Sequence, residues 1–194
     1  MANLAVGCKT TVPSDAGVPE PTVLPADDVQ MPDSETTAPS DPTPAPFQWP
    51  SQEEQVLSLQ TTPCLGTCPV YQLEVYRDGT LRYQGSQFTE RIGTYRGKVD
   101  LPRLNAILKQ AEAMNFAQLA DVYPTGNIRI MDLPSSILFV RSDTWQKQVV
   151  SRRYANPEVE GEQAIVDQLK ELQASMDALL ENTPLHLVGE GRQD

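Results

Sequence analysis

The placement of proline divides this chain into two parts. Ten of the 17 prolines lie in the first 50 residues, together with seven acidic side chains and one basic side chain, Lys9. A segment of this composition buries too little apolar surface to offset the entropy lost on ordering. We therefore predict a disordered, acidic tether over residues 1–50, an α+β domain over 51–183 and a C-terminal tail over 184–194.

Charge and hydropathy argue against two classes of function. The formal net charge is −11, and Lys and Arg form no cluster, so we expect no binding to nucleic acid. No apolar run reaches the length of about 18 residues that a membrane-spanning helix needs. Any membrane attachment is therefore expected to use a lipid anchor.

The first cysteine, Cys8, has the setting of a lipidation site. Leu4-Ala5-Val6-Gly7 precede it and a long polar, proline-rich run follows, as at the end of a bacterial lipoprotein signal. Such a signal also needs a basic segment and an apolar segment of roughly 7–15 residues, whereas only Met1 to Gly7 precede this cysteine. We predict that Cys8 carries lipid; the alternative is a cytosolic protein with free thiols.

The other two cysteines, Cys64 and Cys68, stand four residues apart between Pro63 and Pro69. With Gly66 between them the chain can double back, and a disulfide closing so small a ring contributes about 2 kcal/mol. We expect this disulfide, which suits an oxidising compartment.

Two other chemistries remain open for this pair. The Cys-x-x-x-Cys-Pro motif also occurs in Sco-type copper chaperones, and two thiolates suit Cu(I). However, the only histidine, His186, falls in the predicted tail. A redox-active thiol needs a nearby cation or helix N-terminus, and no basic residue lies between Lys9 and Arg77.

Alternating and hairpin patterns predict an antiparallel sheet of about five to six strands. The clearest hairpin pairs residues 71–76 with 81–85, and the alternation predicts that Gln72 and Glu74 face water. A three-residue loop, Arg77-Asp78-Gly79, keeps Val75 opposite Leu81 and Leu73 opposite Tyr83, so Gly79 should have positive φ. The remaining predicted strands are residues 56–59, 93–99, 136–141 and 145–150.

Two helices are predicted to pack against this sheet. The first follows Asp100 and Pro102 and runs to about Met114. The second is predicted to begin at the cap Asn156 and to end near Asn182. The fold class is therefore α+β.

No enzyme motif is present. The chain has no Gly-x-Ser-x-Gly, His-Glu-x-x-His, phosphate-binding loop or Gly-x-Gly-x-x-Gly sequence. We predict no catalytic residues, no resident metal and no cofactor.

A binding surface is instead predicted on Cys64–Tyr71 and the long, weakly patterned stretch 115–134. Because Tyr and Leu side chains on rigid turns make good anchors, the candidate binding residues are Leu65, Tyr71, Tyr123 and Asp132.

The motif Cys64-x-Gly66-x-Cys68-Pro69-x-Tyr71, followed by Asp78-Gly79, Tyr83-x-Gly85 and Gly93, resembles the bacterial family called domain of unknown function 6438. The resemblance covers roughly residues 54–182. It implies an α+β domain of cell-envelope proteins, often lipoproteins, and supplies no reaction. We predict a non-enzymatic, lipid-anchored envelope protein that faces the periplasm or exterior and binds a protein or envelope component. The alternative is an envelope copper-binding or thiol-redox protein.

Overall fold

A computed structural model describes residues 47–128, 130 and 132–189. Cys8 and the first 46 residues of the predicted tether lie outside these ranges. The strands are β1 (Gln55–Thr61), β2 (Val70–Tyr76), β3 (Thr80–Gln87), β4 (Gly93–Lys98), β5 (Val122–Tyr123), β6 (Ser136–Arg141), β7 (Gln146–Ser151) and β8 (His186–Gly189); the helices are α1 (Leu101–Ala113) and α2 (Glu162–Glu181). The predicted α+β class with two helices is confirmed.

The strands form one mixed sheet of eight, in the order β5-β7-β6-β1-β2-β3-β4-β8. The prediction of five to six antiparallel strands was wrong, because it missed β5 and β8. The two residues of β5 pair with β7 in parallel and are too few to show a period. The strand β8 lies in the predicted C-terminal tail and pairs with β4.

A glycine in β4 lets the chain return to the sheet edge before β8. A Cβ at Gly97 would lie 2.6 Å from Thr183 Cγ2 and 3.0 Å from the Pro184 carbonyl oxygen. Since real Cβ atoms do not approach other atoms so closely, the missing side chain makes room for residues 183–185. This packing depends on residues far apart in the chain, so no local pattern predicts β8.

The hairpin between β2 and β3 has the predicted register. Val75 lies opposite Leu81 and Leu73 opposite Tyr83, and Gly79 has φ +85°. The three-residue loop was inferred from the need to keep the apolar side chains on one face, and the structure confirms that inference.

Both helices pack on one face of the sheet, and the core lies between them and the strands. The buried apolar side chains on the helices are Leu104, Ile107, Ala111, Val166, Leu169, Leu172, Met176 and Leu179. The prediction that Asn156 caps α2 was wrong, because the helix begins at Glu162. The Asn156 side chain instead accepts a hydrogen bond from the Glu158 amide at 2.9 Å and donates one to the Thr125 carbonyl oxygen at 3.1 Å, which holds a turn.

The other face of the sheet carries polar side chains, and residues before β1 lie against part of it. The Arg96 guanidinium lies 3.9 Å from the Phe47 ring centroid, and that of Arg82 lies 5.3 Å from the Trp49 ring centroid. Ordered contacts therefore begin before residue 51. Glu74, which the alternation placed in water, is buried and accepts a hydrogen bond from Arg82 at 3.3 Å.

Candidate functional site

The loop between β1 and β2 is closed at its base by one threonine. Thr61 Oγ1 donates to the Pro69 carbonyl oxygen at 2.7 Å and accepts from the Tyr71 amide at 3.1 Å. The Cys64 and Cys68 sulfurs lie at disulfide-bonding distance, with their Cα atoms 5.8 Å apart. Gly66, between them, has φ +142°, a conformation that few L-residues adopt. Residues 62–69 therefore double back as the spacing allows.

A second loop, before β6, is joined to this one by backbone hydrogen bonds. The Thr62 amide donates to the Ser135 carbonyl oxygen at 3.0 Å, and the Leu65 amide donates to the Asp132 carbonyl oxygen at 3.3 Å. The Ser135 amide returns a bond to Thr62 Oγ1 at 2.8 Å. Two of the predicted binding residues, Leu65 and Asp132, are thus neighbours, although they are 67 positions apart in the chain.

These two loops present large apolar side chains to solvent. Leu65 is 82% exposed, Ile130 50% and Leu133 46%. Asp132 lies between the last two in sequence with φ +69°, a left-handed conformation that asparagine and aspartate adopt more readily than most L-residues. We call Leu65, Ile130, Asp132 and Leu133 the Leu65 patch. The patch combines three exposed apolar side chains with one carboxylate, on two loops that are hydrogen-bonded to each other.

A polar cluster lies at the same end of the sheet, between the sheet and α2. Tyr71 Oη donates to Asp177 Oδ1 at 2.5 Å, and Gln173 Nε2 approaches Asp177 Oδ2 at 3.5 Å. Ser136 Oγ donates to Gln173 Oε1 at 2.7 Å. Arg153 Nε and Nη2 each lie 3.4 Å from Ser136 Oγ. We call these five residues the Tyr71 cluster.

The pKa values within the Tyr71 cluster follow from burial. Burial raises the pKa of Tyr71, and the bond to the Asp177 carboxylate raises it further. Burial also raises the pKa of Asp177, against the opposing effects of Tyr71, Gln173 and Arg153. Tyr71 therefore stays protonated through the neutral range and acts as a fixed hydrogen-bond donor, which anchors the start of β2 to α2.

Tyr71 itself is only partly available to a partner. Its ring packs against the core, and its centroid lies 5.8 Å from that of Tyr83. We infer that Tyr71 supports the neighbouring loop from within the domain.

The predicted role of Tyr123 as a surface anchor is not compatible with its position. The side chain is 4% exposed and belongs to the core, and its hydroxyl accepts a hydrogen bond from the Ala120 amide at 3.1 Å. The ring is buried because Val122–Tyr123 pairs with β7 as β5. The stretch 115–134 is thus tied to the sheet at its middle.

Four members of the Tyr71 cluster were not predicted from the sequence, namely Ser136, Arg153, Gln173 and Asp177. One signal for two of them was present. Gln173 and Asp177 stand four residues apart beside the apolar stripe of α2, where i,i+4 side chains share a face. Ser136 and Arg153 join them only through the pairing of β6 and β7.

Within the described residues, no group of three or more His, Cys, Asp or Glu side chains could hold a metal ion. His186, the histidine considered for copper, lies on β8, and two strands separate β8 from β2 in the sheet. It is therefore not placed to complete a site with Cys64 and Cys68.

A search of curated proteins found no match to this chain. A protein-family model described as "Domain of unknown function (DUF6438)" matches residues 55–180. The matched region runs from the first residue of β1 almost to the end of α2 and contains the Leu65 patch and the Tyr71 cluster. Because the match covers more than half of the chain, the protein belongs to the DUF6438 family.

Proposed function

We propose that this protein is a non-enzymatic, lipid-anchored protein of the cell envelope that binds a protein or envelope component through the Leu65 patch. Lipid on Cys8 would attach the chain to a membrane, and the acidic tether would carry the domain away from it. A flexible tether of about 40 residues has a typical end-to-end distance of about 35–40 Å.

The observation that carries the proposed binding role is the exposure of Leu65 on a fixed backbone. The side chain is 82% exposed, while its amide donates to the Asp132 carbonyl oxygen at 3.3 Å and the Cys64–Cys68 pair closes the loop around it. A loop whose backbone is held this way loses little backbone conformational entropy on binding. Ile130 and Leu133, on the loop that is hydrogen-bonded to it, add two more exposed apolar side chains, and a few anchor residues usually carry most of the binding energy at an interface.

The surrounding framework supports this role. Tyr71, near the start of β2 just after the first loop, donates a hydrogen bond to Asp177 on α2. The hydrogen bonds between Thr62 and Ser135 join the two loops. A preorganised pair of loops on a rigid sheet is a common way to build a recognition surface.

The proposed envelope location rests on the cysteines. Cys64 and Cys68 lie at disulfide-bonding distance, which suits an oxidising compartment, and Cys8 follows small residues and precedes a long spacer. Among the described residues, no helix has the length and apolar character needed to cross a membrane.

The binding role is tested by Leu65→Asp, with Val159→Asp as the control. Val159 is also an exposed apolar residue, at 42%, but it lies in the turn before α2. Chemical cross-linking of the full chain in an envelope fraction should give a discrete cross-linked species with the wild type and Val159→Asp. We expect Leu65→Asp to lose it. Equal yields from all three proteins would contradict the proposal.

The anchor is tested separately with Cys8→Ser. The wild type should sediment with membranes and yield an N-terminal peptide whose mass includes acyl chains on Cys8, whereas Cys8→Ser should remain in the supernatant. An unmodified Cys8 in the membrane-exposed wild type would contradict the lipid anchor without bearing on the Leu65 patch.

A further inference from the structure

The open face of the sheet carries a row of glutamines in direct register. Gln60 on β1 lies opposite Gln72 on β2, and Gln72 lies opposite Gln84 on β3. Neighbouring strands are about 4.8 Å apart, so this row repeats a side-chain amide at that interval. Each amide offers two donor hydrogens and one acceptor oxygen. This arrangement is invisible in the sequence, because pairing alone brings the three residues together.

A groove of about 380 Å³ runs beside this row. Its floor and walls come from β1, β2, β6 and β7, and one end is bounded by residues just before β1. The residues that line it include Gln60, Gln72, Ile137, Phe139 and Gln148. Amides thus line two sides of the groove, and Ile137 and Phe139 add an apolar surface between them.

The two charged side chains that the sheet contributes to this groove are already paired. Glu74 accepts hydrogen bonds from Gln72 at 2.9 Å and from Arg82 at 3.3 Å. Arg141 donates to the Gln52 carbonyl oxygen at 2.8 Å and to the Glu53 carbonyl oxygen at 2.5 Å. Glu53, just before β1, adds one exposed carboxylate at the end of the groove. Elsewhere in the groove a ligand would meet mainly neutral donors and acceptors.

We propose that this groove binds a neutral glycan, a chain of uncharged pyranose rings. Adjacent hydroxyl groups of a sugar ring can each donate and accept, which matches the paired donor and acceptor of an amide. The C–H face of a ring would lie on Ile137, in the way that ligand pockets combine apolar walls with a few polar groups. It would border Phe139, whose ring centroid lies 5.4 Å from the Arg141 guanidinium.

Two other classes of ligand fit this surface less well. An extended peptide gains its main-chain hydrogen bonds at a sheet edge, whereas this groove lies over the middle strands. A polyanion would need unpaired cations, and Arg141 is occupied by two carbonyl oxygens.

The proposal is tested by NMR titration of the isotope-labelled full chain with cellotetraose, maltotetraose and chitotetraose. Each is added to about 10 mM, enough to reveal a dissociation constant of about 1 mM. We expect at least one to give saturable shifts at the side-chain amides of Gln60, Gln72 and Gln148. Heparin serves as a charged polysaccharide, and we expect it to bind at least 10-fold more weakly or not at all.

The variants are Gln60→Ala combined with Gln148→Ala, with Gln168→Ala as the matched control on the exposed side of α2. The double variant should weaken glycan binding at least 10-fold, and the control should leave it unchanged. Unchanged spectra across all three neutral glycans would overturn the proposal, as would tighter binding of heparin. Leu65→Asp should leave glycan binding intact, so the outcome is independent of the proposed partner site.

Discussion

The hydroxyl of Tyr71 on β2 donates a 2.5 Å hydrogen bond to the carboxylate of Asp177 on α2, across 106 positions of sequence. This bond joins the strand that follows the Cys64–Cys68 loop to the helix that covers the sheet. It gives the loop a fixed base, and the stability of the domain should depend on it.

Tyr71→Phe should remove the donor and leave the partly buried Asp177 carboxylate with weaker partners. A hydrogen bond to a charged group contributes about 2 kcal/mol, and we expect the free energy of unfolding in urea to fall by about that amount. Tyr95→Phe is the control, because the Tyr95 hydroxyl makes only an exposed 3.3 Å bond to the Ile92 carbonyl oxygen. Equal losses from the two variants would show that the Asp177 bond contributes nothing specific.

The pH dependence of stability should carry a signature of Asp177. Burial raises its pKa above the ordinary value of 3.8, so between the two values the folded state binds more protons than the unfolded chain. The contribution of Asp177 to the free energy of unfolding therefore falls as pH rises through that window. Asn does not titrate, so the stability of Asp177→Asn relative to the wild type should improve from about pH 3 to about pH 7. Urea unfolding at both values measures this, and a relative stability that worsens would contradict the raised pKa.

Glu162, at the start of α2, should show the opposite dependence. Its carboxylate is buried and accepts hydrogen bonds from the Asn156 amide at 2.7 Å and from the hydroxyl and amide of Thr125. Burial, which opposes ionisation, is outweighed by these bonds, and the pKa of Glu162 is lowered below 4.5. Its stabilising effect is therefore complete above the ordinary pKa and is lost as pH falls through the lowered one.

Glu162→Gln should accordingly lower the free energy of unfolding by about 2 kcal/mol near neutral pH and by less below pH 4.5. The exposed Glu160→Gln is the control and should change stability little at either pH. A loss for Glu162→Gln that is the same at both pH values would count against a charged native Glu162.

Two glycines with nearly equal positive φ allow the effect of backbone strain to be distinguished from that of steric crowding. Gly79 and Gly161 have φ +85° and +80°. A Cβ at Gly79 would lie 3.0 Å from the Val99 carbonyl oxygen, whereas one at Gly161 would meet nothing within 4 Å. Gly161→Ala should lower the free energy of unfolding by about 1 kcal/mol through strain alone, and Gly79→Ala should lower it further, to about 2 kcal/mol. Chemical unfolding of both variants tests this ordering, and equal effects would mean that Val99 moves aside at no cost.

The disulfide between Cys64 and Cys68 can be tested on the purified protein. Intact mass under non-reducing conditions should be about 2 Da below that of the dithiol, and neither cysteine should react with an alkylating reagent before reduction. The double variant Cys64→Ser with Cys68→Ser should lose about 2 kcal/mol of stability and remain folded. Two reactive thiols in the unreduced, folded protein would contradict the pairing and remove its support for an envelope location.

Most of the sheet could be predicted from local patterns. The strands 71–76 and 81–85 alternate cleanly, and the match of Leu73 with Tyr83 was enough to infer the loop length and the positive φ of Gly79. The same patterns misplaced Glu74, because alternation identifies a face and cannot show that Arg82 and Tyr76 enclose a carboxylate on it. The start of α2 was misplaced because Asn156-Pro157 has the form of a helix start, while the Asn156 side chain bonds to Thr125 across the fold.

For the site, sequence reasoning located the Cys64–Cys68 loop, and with it Leu65. It could not identify the Tyr71 cluster, whose members come from β2, β6, α2 and the turn after β7. Tyr123 also could not be assigned from the sequence. An aromatic residue in a stretch without a clear pattern is compatible with either a surface anchor or a core side chain.

Properties set by neighbours along the chain could therefore be predicted from the sequence: the strand and helix faces, the tight loop after β2 and the loop with the closely spaced cysteines. Properties set by distant pairing were decided by the assembled sheet, including the edge strands β5 and β8, the burial of Tyr123, the Leu65–Asp132 contact and the glutamine row. The physical reason is range. Backbone geometry and side-chain period act over a few residues, whereas packing and hydrogen bonding in the folded state join residues whose separation in the chain carries no signal.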